Sequence, residues 1–141
     1  MTQCSATYVA FYQNLTRDRL GRLREICAPN VRFRDPFNDV TGVEAYIAVL
    51  EKMFDDVLDP RFEIVDRAVS DQVCYLRWDF TFRSKPGSPA WQIEGMSEVH
   101  FDSQGLVVAH LDHWDSGSQF YGRLPLLGWL IRLVRQRVSL T

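Results

Sequence analysis

The densest group of titratable side chains in this 141-residue chain is the run H-L-D-H-W-D, from His110 to Asp115. A histidine and a carboxylate two residues apart on a strand point to the same side of a sheet. There they form a polarised pair able to act as an acid, a base or a proton relay. Alternation divides the run into His110, Asp112 and Trp114 on one face and Leu111, His113 and Asp115 on the other. A hydrogen-bonded structural pair closing one end of a sheet is the plainer role for such a couple. Asp35, in V-R-F-R-D-P-F (Val31 to Phe37), is the other candidate. It shares a strand face with Val31 and Phe33, which turns it inward. An apolar cavity disfavours a charged carboxylate, which raises its pKa and makes it a stronger base. The competing role is a strand-end aspartate capping a D-P turn. The three histidines have no distinctive ligand spacing, so no metal and no cofactor is expected.

The elements that must position these groups follow from periodicity. Tyr8, Phe11, Tyr12 and Leu15 fall on one face of a helix over about Ser5–Leu15. A second short helix follows Asp18, with Leu20, Leu23, Ile26 and Cys27 on its buried side, and Pro29 ends it. Val31, Phe33 and Asp35 alternate with Arg32 and Arg34 as a strand. Thr41 and Glu44 form a T-x-x-E capping box for a helix carrying Val43, Tyr46, Ile47, Leu50 and Phe54 on one face. After Pro60 the period becomes two. Strands are expected over Arg61–Val69, Val73–Phe82, Trp91–Phe101 and Leu106–Asp115, with Asp102 to Gly105 as a hairpin turn. Leu126–Val138 returns to helical period.

The turn decides which set of the last strand faces inward. A two-residue loop at Ser103-Gln104 pairs Phe101 with Leu106 and Ser97 with His110, and points His110, Asp112 and Trp114 inside. A three-residue loop with a bulge at Gly105 slips the register by one and brings His113 and Asp115 inside, with Val107, Ala109 and Leu111. The first is preferred, although apolar count favours the second.

Helices first and antiparallel strands after indicate an α+β fold, with a strongly curved sheet wrapped around the early helices. In this order, and in the segments Val31 to Phe37 and Ile93 to Asp115, the chain resembles the nuclear transport factor 2-like superfamily, which includes ketosteroid isomerases, SnoaL-like polyketide cyclases and scytalone dehydratases. The resemblance implies a cone-shaped sheet around a ligand pocket, one domain over 1–141, a C-terminal helix as an extension, and a homodimer through the sheet. In the resembling isomerases the aspartate of an E-D-P segment is the general base, and Asp35 in R-D-P lies at that position. The isomerase oxyanion donors do not carry over. Their positions fall near Phe11, which has no proton to donate, and near Ser97; Tyr12 lies about 100° further round the helix. The pocket is expected to be lined by Phe11, Tyr12, Phe33, Tyr46, Trp78, Phe80, Ser97, Val99 and Trp114. It is suited to an apolar small molecule on which Asp35, His110 and Asp112 act by proton transfer. The alternative is a non-catalytic ligand-binding or oligomerisation module of the same fold.

Composition sets the outer bounds. A chain that is 46% hydrophobic is neither disordered nor collagenous, and three unspaced cysteines form no disulfide framework. No signal peptide is recognisable, so a cytoplasmic location is expected. A net charge of −2 argues against nucleic-acid binding. That charge is unevenly spread. Of 16 basic and 18 acidic residues, four arginines and no acid lie from Ser116 onward, so that residues 117–141 form a basic amphipathic tail. The first 115 residues hold 12 basic and 18 acidic groups, a balance of −6. Packing of the tail helix on its own domain or on a partner copy is expected ahead of contact with an anionic membrane surface.

Overall fold

The chain opens with helix α1 (Thr2–Gln13), and the computed structural model describes residues 2–140. Tyr8, Phe11 and Tyr12 are buried on one face of α1. The side-chain amide of Asn14 closes the helix by donating to the Ala10 carbonyl at 2.9 Å. A 3-10 turn (Arg17–Arg22) and one turn of α2 (Leu23–Ile26) follow. Strand β1 (Cys27–Arg34) begins two residues ahead of Pro29. Cys27 therefore belongs to the sheet and not to the preceding helix, and the helix ends before the proline can break it.

A short strand, β2 (Asp39–Thr41), returns antiparallel along β1, and a bidentate Arg32–Asp39 pair at 2.9 and 2.8 Å ties the two. Helix α3 (Val43–Asp56) buries Tyr46, Ile47 and Leu50. The expected capping box is not formed. Thr41 is held in β2, and Gly42, at φ +109°, makes the turn into the helix. Glu44 instead takes a bidentate pair from Arg24 at 2.6 and 2.9 Å. A strand-to-helix turn at positive φ favours glycine, and the arginine fork outcompetes the backbone N–H for the carboxylate.

Four long strands complete the body: β3 (Leu58–Ser70), β4 (Val73–Arg83), β5 (Trp91–Phe101) and β6 (Val107–His113). The sheet order is β2-β1-β6-β5-β4-β3. All pairings are antiparallel except β1 with β6, which run parallel and set Phe33 beside His110. Two irregularities in β3, between Leu58 and Arg61 and between Ile64 and Asp66, sharpen the twist of the long hairpin, as bulges do. The sheet curves around α1 and α3 without closing. Cys74, Leu76, Trp78 and Phe82 of β4 and Ile93, Ser97, Val99 and Phe101 of β5 are buried against them. The cysteines are free thiols, and burial pushes Cys27 up to about 12.

The β5–β6 register combines features of both expected registers. Phe101 pairs with Val107, as a longer turn requires. The register then shifts again before His100, which pairs with Ala109, so Val99 meets His110 and Ser97 meets Asp112. The bulge absorbs Val108. Val107 can therefore be buried like the second alternative, while His110 and Asp112 face inward like the first.

Beyond β6, α4 (Ser116–Gln119) is capped by Asp115, which accepts from the Ser118 N–H at 3.0 Å. The Gln119 amide accepts from Glu94 N at 2.7 Å and donates to Glu94 O at 3.0 Å. It thereby supplies the ladder bonds that β6, having ended, leaves open on β5. A 3-10 turn (Tyr121–Arg123) leads to helix α5 (Pro125–Val138). The apolar residues of α5 do not pack on the cone. Leu126, Trp129, Leu130 and Val134 are exposed, and the helix touches the body through its polar edge.

Candidate functional site

His110 sits on β6 in the buried interior, its ring stacked against Phe33 (centroids 5.2 Å apart) and Tyr12 (5.3 Å). Both ring nitrogens have partners. Nε2 lies 2.7 Å from Asp112 Oδ1, and Nδ1 lies 2.7 Å from the Tyr8 hydroxyl. The chain extends both ways. Trp78 Nε1–H donates to Ser97 Oγ at 2.8 Å, and Ser97 donates to Asp112 Oδ1 at 2.5 Å. On the other side the Tyr8 hydroxyl meets that of Tyr46 at 2.7 Å, and Tyr46 is hydrogen-bonded to Tyr12. Seven side chains from α1, α3, β4, β5 and β6 thus form one line: Trp78, Ser97, Asp112, His110, Tyr8, Tyr46, Tyr12. No buried side-chain polar atom among the described residues lacks a partner. Burial pushes all three tyrosine hydroxyls well above their ordinary range, so they act as neutral donors and acceptors.

A glycine makes room for this arrangement. A Cβ on Gly95, which pairs with Trp78 across the β4–β5 ladder, would lie 2.4 Å from the Trp78 ring and 3.0 Å from Trp114 Cβ. The indole therefore lies across the backbone of β5 and reaches Ser97.

Tyr12, Phe62, Ile64, Leu76, Trp78, Ser97, His110 and Asp112 line a cavity inside the cone. The space open to the centre of a water molecule is only about 10 Å³, room for about one water. Beside it, between the end of α1 and the β3–β4 hairpin, lies an open groove of about 610 Å³. Tyr12 and Phe62 line both, and their rings meet edge to face at 5.3 Å. That pair is the wall between the groove and the inner cavity.

Five expected site residues line the inner cavity: Tyr12, Trp78, Ser97, His110 and Asp112. Phe33 and Tyr46 stand behind it, stacked on each other and against the His110 ring. Phe11 and Val99 are core residues, Phe80 stacks on Phe62 at 4.3 Å, and Trp114 packs against Phe37 at 5.6 Å. Asp35 does not line the cavity. Its Oδ1 accepts from Phe37 N at 2.8 Å, Asn38 N at 2.7 Å and Asn38 Nδ2 at 3.1 Å, closing the D-P turn. Burial still raises its pKa, against the pull of those hydrogen bonds, and the charge of Asp112 adds to the rise.

Tyr8, on His110 Nδ1, and Phe62, in the cavity lining, belong to the site although the sequence pattern does not mark them for it. The signal for Tyr8 was its i, i+4 spacing to Tyr12, which reads equally as a packing face. The missing tyrosine near Phe11 is made good from that same face. Tyr8 and Tyr12 both bring their hydroxyls into the cluster, because Tyr46 on α3 reaches across to meet them. Among the described residues no group of three or more His, Cys, Asp or Glu is placed to hold a metal ion.

A model of the SnoaL-like domain matches residues 8–110. No curated protein matches the chain. Solved structures share the fold at low identity. A nuclear transport factor 2-like protein of unknown function from Burkholderia pseudomallei K96243 is 17% identical, with TM-score 0.71, covering 95% of this chain and 98% of that one. A Shewanella putrefaciens CN-32 protein provisionally described as a SnoaL-like polyketide cyclase is 18% identical, with TM-score 0.68 and 99% of each chain covered. An M. tuberculosis epoxide hydrolase of the LEH-like type is 14% identical, with TM-score 0.66, covering 96% of this chain and 93% of that one.

Proposed function

The chain belongs to the SnoaL-like domain family, and we propose that it is an acid–base enzyme that moves a proton on a small apolar carbonyl compound. The observation that carries this reading is the hydrogen-bonded line in which Asp112 and Tyr12, on either side of His110, both line the same cavity. With His110 neutral and Nε2–H donating to Asp112, every tyrosine hydroxyl points its proton toward Nδ1. Tyr12 donates to Tyr46, Tyr46 to Tyr8, and Tyr8 to His110. The carboxylate then removes a proton from the carbon next to a carbonyl. The C–H bond breaks, its electron pair passes into the carbonyl group, and an enolate forms. Asp112 keeps the proton it has gained, while Nε2–H and the Ser97 hydroxyl continue to hold its Oδ1. The Tyr12 hydroxyl, at the end of the line, turns its proton from Tyr46 into the cavity toward the enolate oxygen, and Tyr46 loses only an accepted bond and still donates to Tyr8. Base and oxyanion donor thus stand on two sides of one small cavity, where such a donor is worth most. Return of the proton to a different carbon completes an isomerisation.

The base is assigned to Asp112 and not to Asp35, whose Oδ1 is already engaged by three donors in its turn. Because the inner cavity holds about one water, a substrate enters only when Tyr12 and Phe62 part toward the outer groove. The same small volume favours a second reading, a non-catalytic module whose polar line is a structural brace. Deuterium uptake separates the two. A panel of apolar ketones is incubated with the protein in D2O, and exchange at the α-carbon is followed by NMR. The wild type should accelerate exchange of at least one ketone, and Asp112→Asn and His110→Gln should not, while Phe62→Ala should widen the set accepted. No accelerated exchange with wild type or Phe62→Ala supports the brace. Exchange unchanged in Asp112→Asn removes the base.

A further inference from the structure

Helix α5 is mounted with its polar edge toward the body and its apolar arc toward solvent. At 100° per residue, the exposed residues Trp129, Leu133, Leu126, Leu130, Val134, Leu127 and Val138 sweep roughly 180° of its circumference. Leu126 is 82% exposed, Trp129 58% and Val134 56%. The remaining face holds half-buried Ile131 with Gly128, Arg132, Arg135 and Gln136, and it makes the attachment. Gly128 approaches Gly122 so closely that a Cβ would sit 2.4 Å from its carbonyl oxygen. Arg132 donates to that same carbonyl at 3.3 Å, and Arg135 donates to Ser118 Oγ at 2.9 Å. A helix meant to brace its own domain would present the opposite face.

Charge identifies what meets the exposed arc. Ser116 to Thr141 contains four arginines and no carboxylate. Asp115, at the start of α4, feels Arg135 but forms no ion pair with it, and no ion pair to any α5 arginine occurs among the described residues. A second copy of α5 laid arc to arc would bury Arg137, which lies within the arc, and neither helix carries an acid to pair with it. An anionic lipid surface supplies both the apolar layer and the opposite charge. Arg137 sits within the apolar arc at the C-terminal end, where a long side chain can run along apolar groups and leave its head among phosphates. The helix is 14 residues long, and no described helix is long and apolar enough to cross a membrane. We propose that α5 lies flat in the interface of an anionic membrane and holds the cone against it. This does not rest on the proton-transfer reading.

The test is co-sedimentation of the full chain with sucrose-loaded vesicles. Vesicles of phosphatidylcholine with about 30% phosphatidylserine should bind the chain roughly fivefold or more better than pure phosphatidylcholine, since Arg137 lies within the arc and an arginine at the surface contributes roughly fivefold. Half-molar salt should remove most of that difference. The triple variant Leu126→Ser, Trp129→Ser, Leu130→Ser alters only exposed positions, so its circular dichroism and thermal midpoint should match wild type while vesicle binding is lost. Arg137→Glu should weaken binding to anionic vesicles and leave neutral vesicles unaffected. No binding to anionic vesicles, equal binding to both compositions, or full binding by the triple variant would each overturn the proposal. So would a wild-type dimer that the triple variant converts to monomer, since α5 would then be covered by a second copy.

Discussion

Tyr8 is the residue whose hydroxyl the line can least spare. Replacing it by Phe removes a group 2.7 Å from His110 Nδ1 and 2.7 Å from the Tyr46 hydroxyl. Tyr46 retains Tyr12 and can turn its proton that way, so only one group is stranded. That group is the ring nitrogen, which is buried. An unsatisfied buried acceptor costs about 1–3 kcal/mol, and the small void left by the oxygen adds to this. We expect a loss of about 2–3 kcal/mol. At about 3 °C per kcal/mol for a chain of this size, the melting temperature falls by roughly 6–9 °C. Tyr12→Phe strands nothing, because Tyr46 keeps Tyr8, and should cost less than about 1 kcal/mol. Calorimetric melting of the two single variants, with Tyr46→Phe and the Tyr8/Tyr46 double variant to complete a cycle, measures both terms. The double variant should be less destabilised than the sum of the singles by about 1 kcal/mol, since each single breaks the same bond. Equal losses for Tyr8→Phe and Tyr12→Phe, or strict additivity in the cycle, would refute the claim that Tyr8 bridges the ring to the tyrosine cluster.

Gly95→Ala places a methyl group 2.4 Å from the Trp78 ring; the indole must swing off Ser97, with a stability loss of about 1–3 kcal/mol and a change in tryptophan fluorescence. An unchanged spectrum and melting curve would count against the close approach. Asp35 has its pKa raised by burial, so the fold favours its protonated form, and stability falls as pH rises from the unfolded carboxylate pKa through the folded one. Asp35→Asn keeps an oxygen to accept from Phe37 and Asn38, so it should melt higher than wild type at pH 7, and the gap should close toward pH 3. A gap that does not vary with pH would contradict this. Tyr75 and Met96 stand exposed on the outward face of the sheet; if that face pairs two copies, Met96→Glu should turn a sedimenting dimer into a monomer, and a species unaltered by the substitution removes that interface.

The alternation of β4 and β5 was readable residue by residue, because a sheet with one buried face writes its period into the side chains. Leu76, Trp78, Ser97 and Val99 all face inward as the pattern requires. The same period placed His110 and Asp112 together but could not choose their partners. Register depends on the turn and on a bulge at Val108, and a one-residue bulge leaves no compositional mark. The capping box at Thr41 and Glu44 was misleading for a related reason. A local motif competes with whatever the fold brings near it, and Arg24, 20 residues away, took the carboxylate. The tyrosine cluster was hidden more deeply. Tyr8, Tyr12 and Tyr46 each read as packing residues on their own helices, and only the crossing of α1 and α3 over β6 turns three aromatic rings into a line of hydroxyls. For α5, amphipathicity was plain, but which edge meets the body depends on two glycines, Gly122 and Gly128, approaching each other.

The central claim is that His110 joins the Asp112 carboxylate to the tyrosine line, donating through Nε2 and accepting through Nδ1. Nitrogen-15 NMR of protein labelled at histidine measures this directly, with His110→Gln used to assign the signal. The account predicts a neutral ring at pH 7 with the proton on Nε2 and a bare Nδ1 whose shift moves in Tyr8→Phe. A proton on Nδ1 with a bare Nε2, or an Nδ1 shift indifferent to the loss of the Tyr8 hydroxyl, would contradict it.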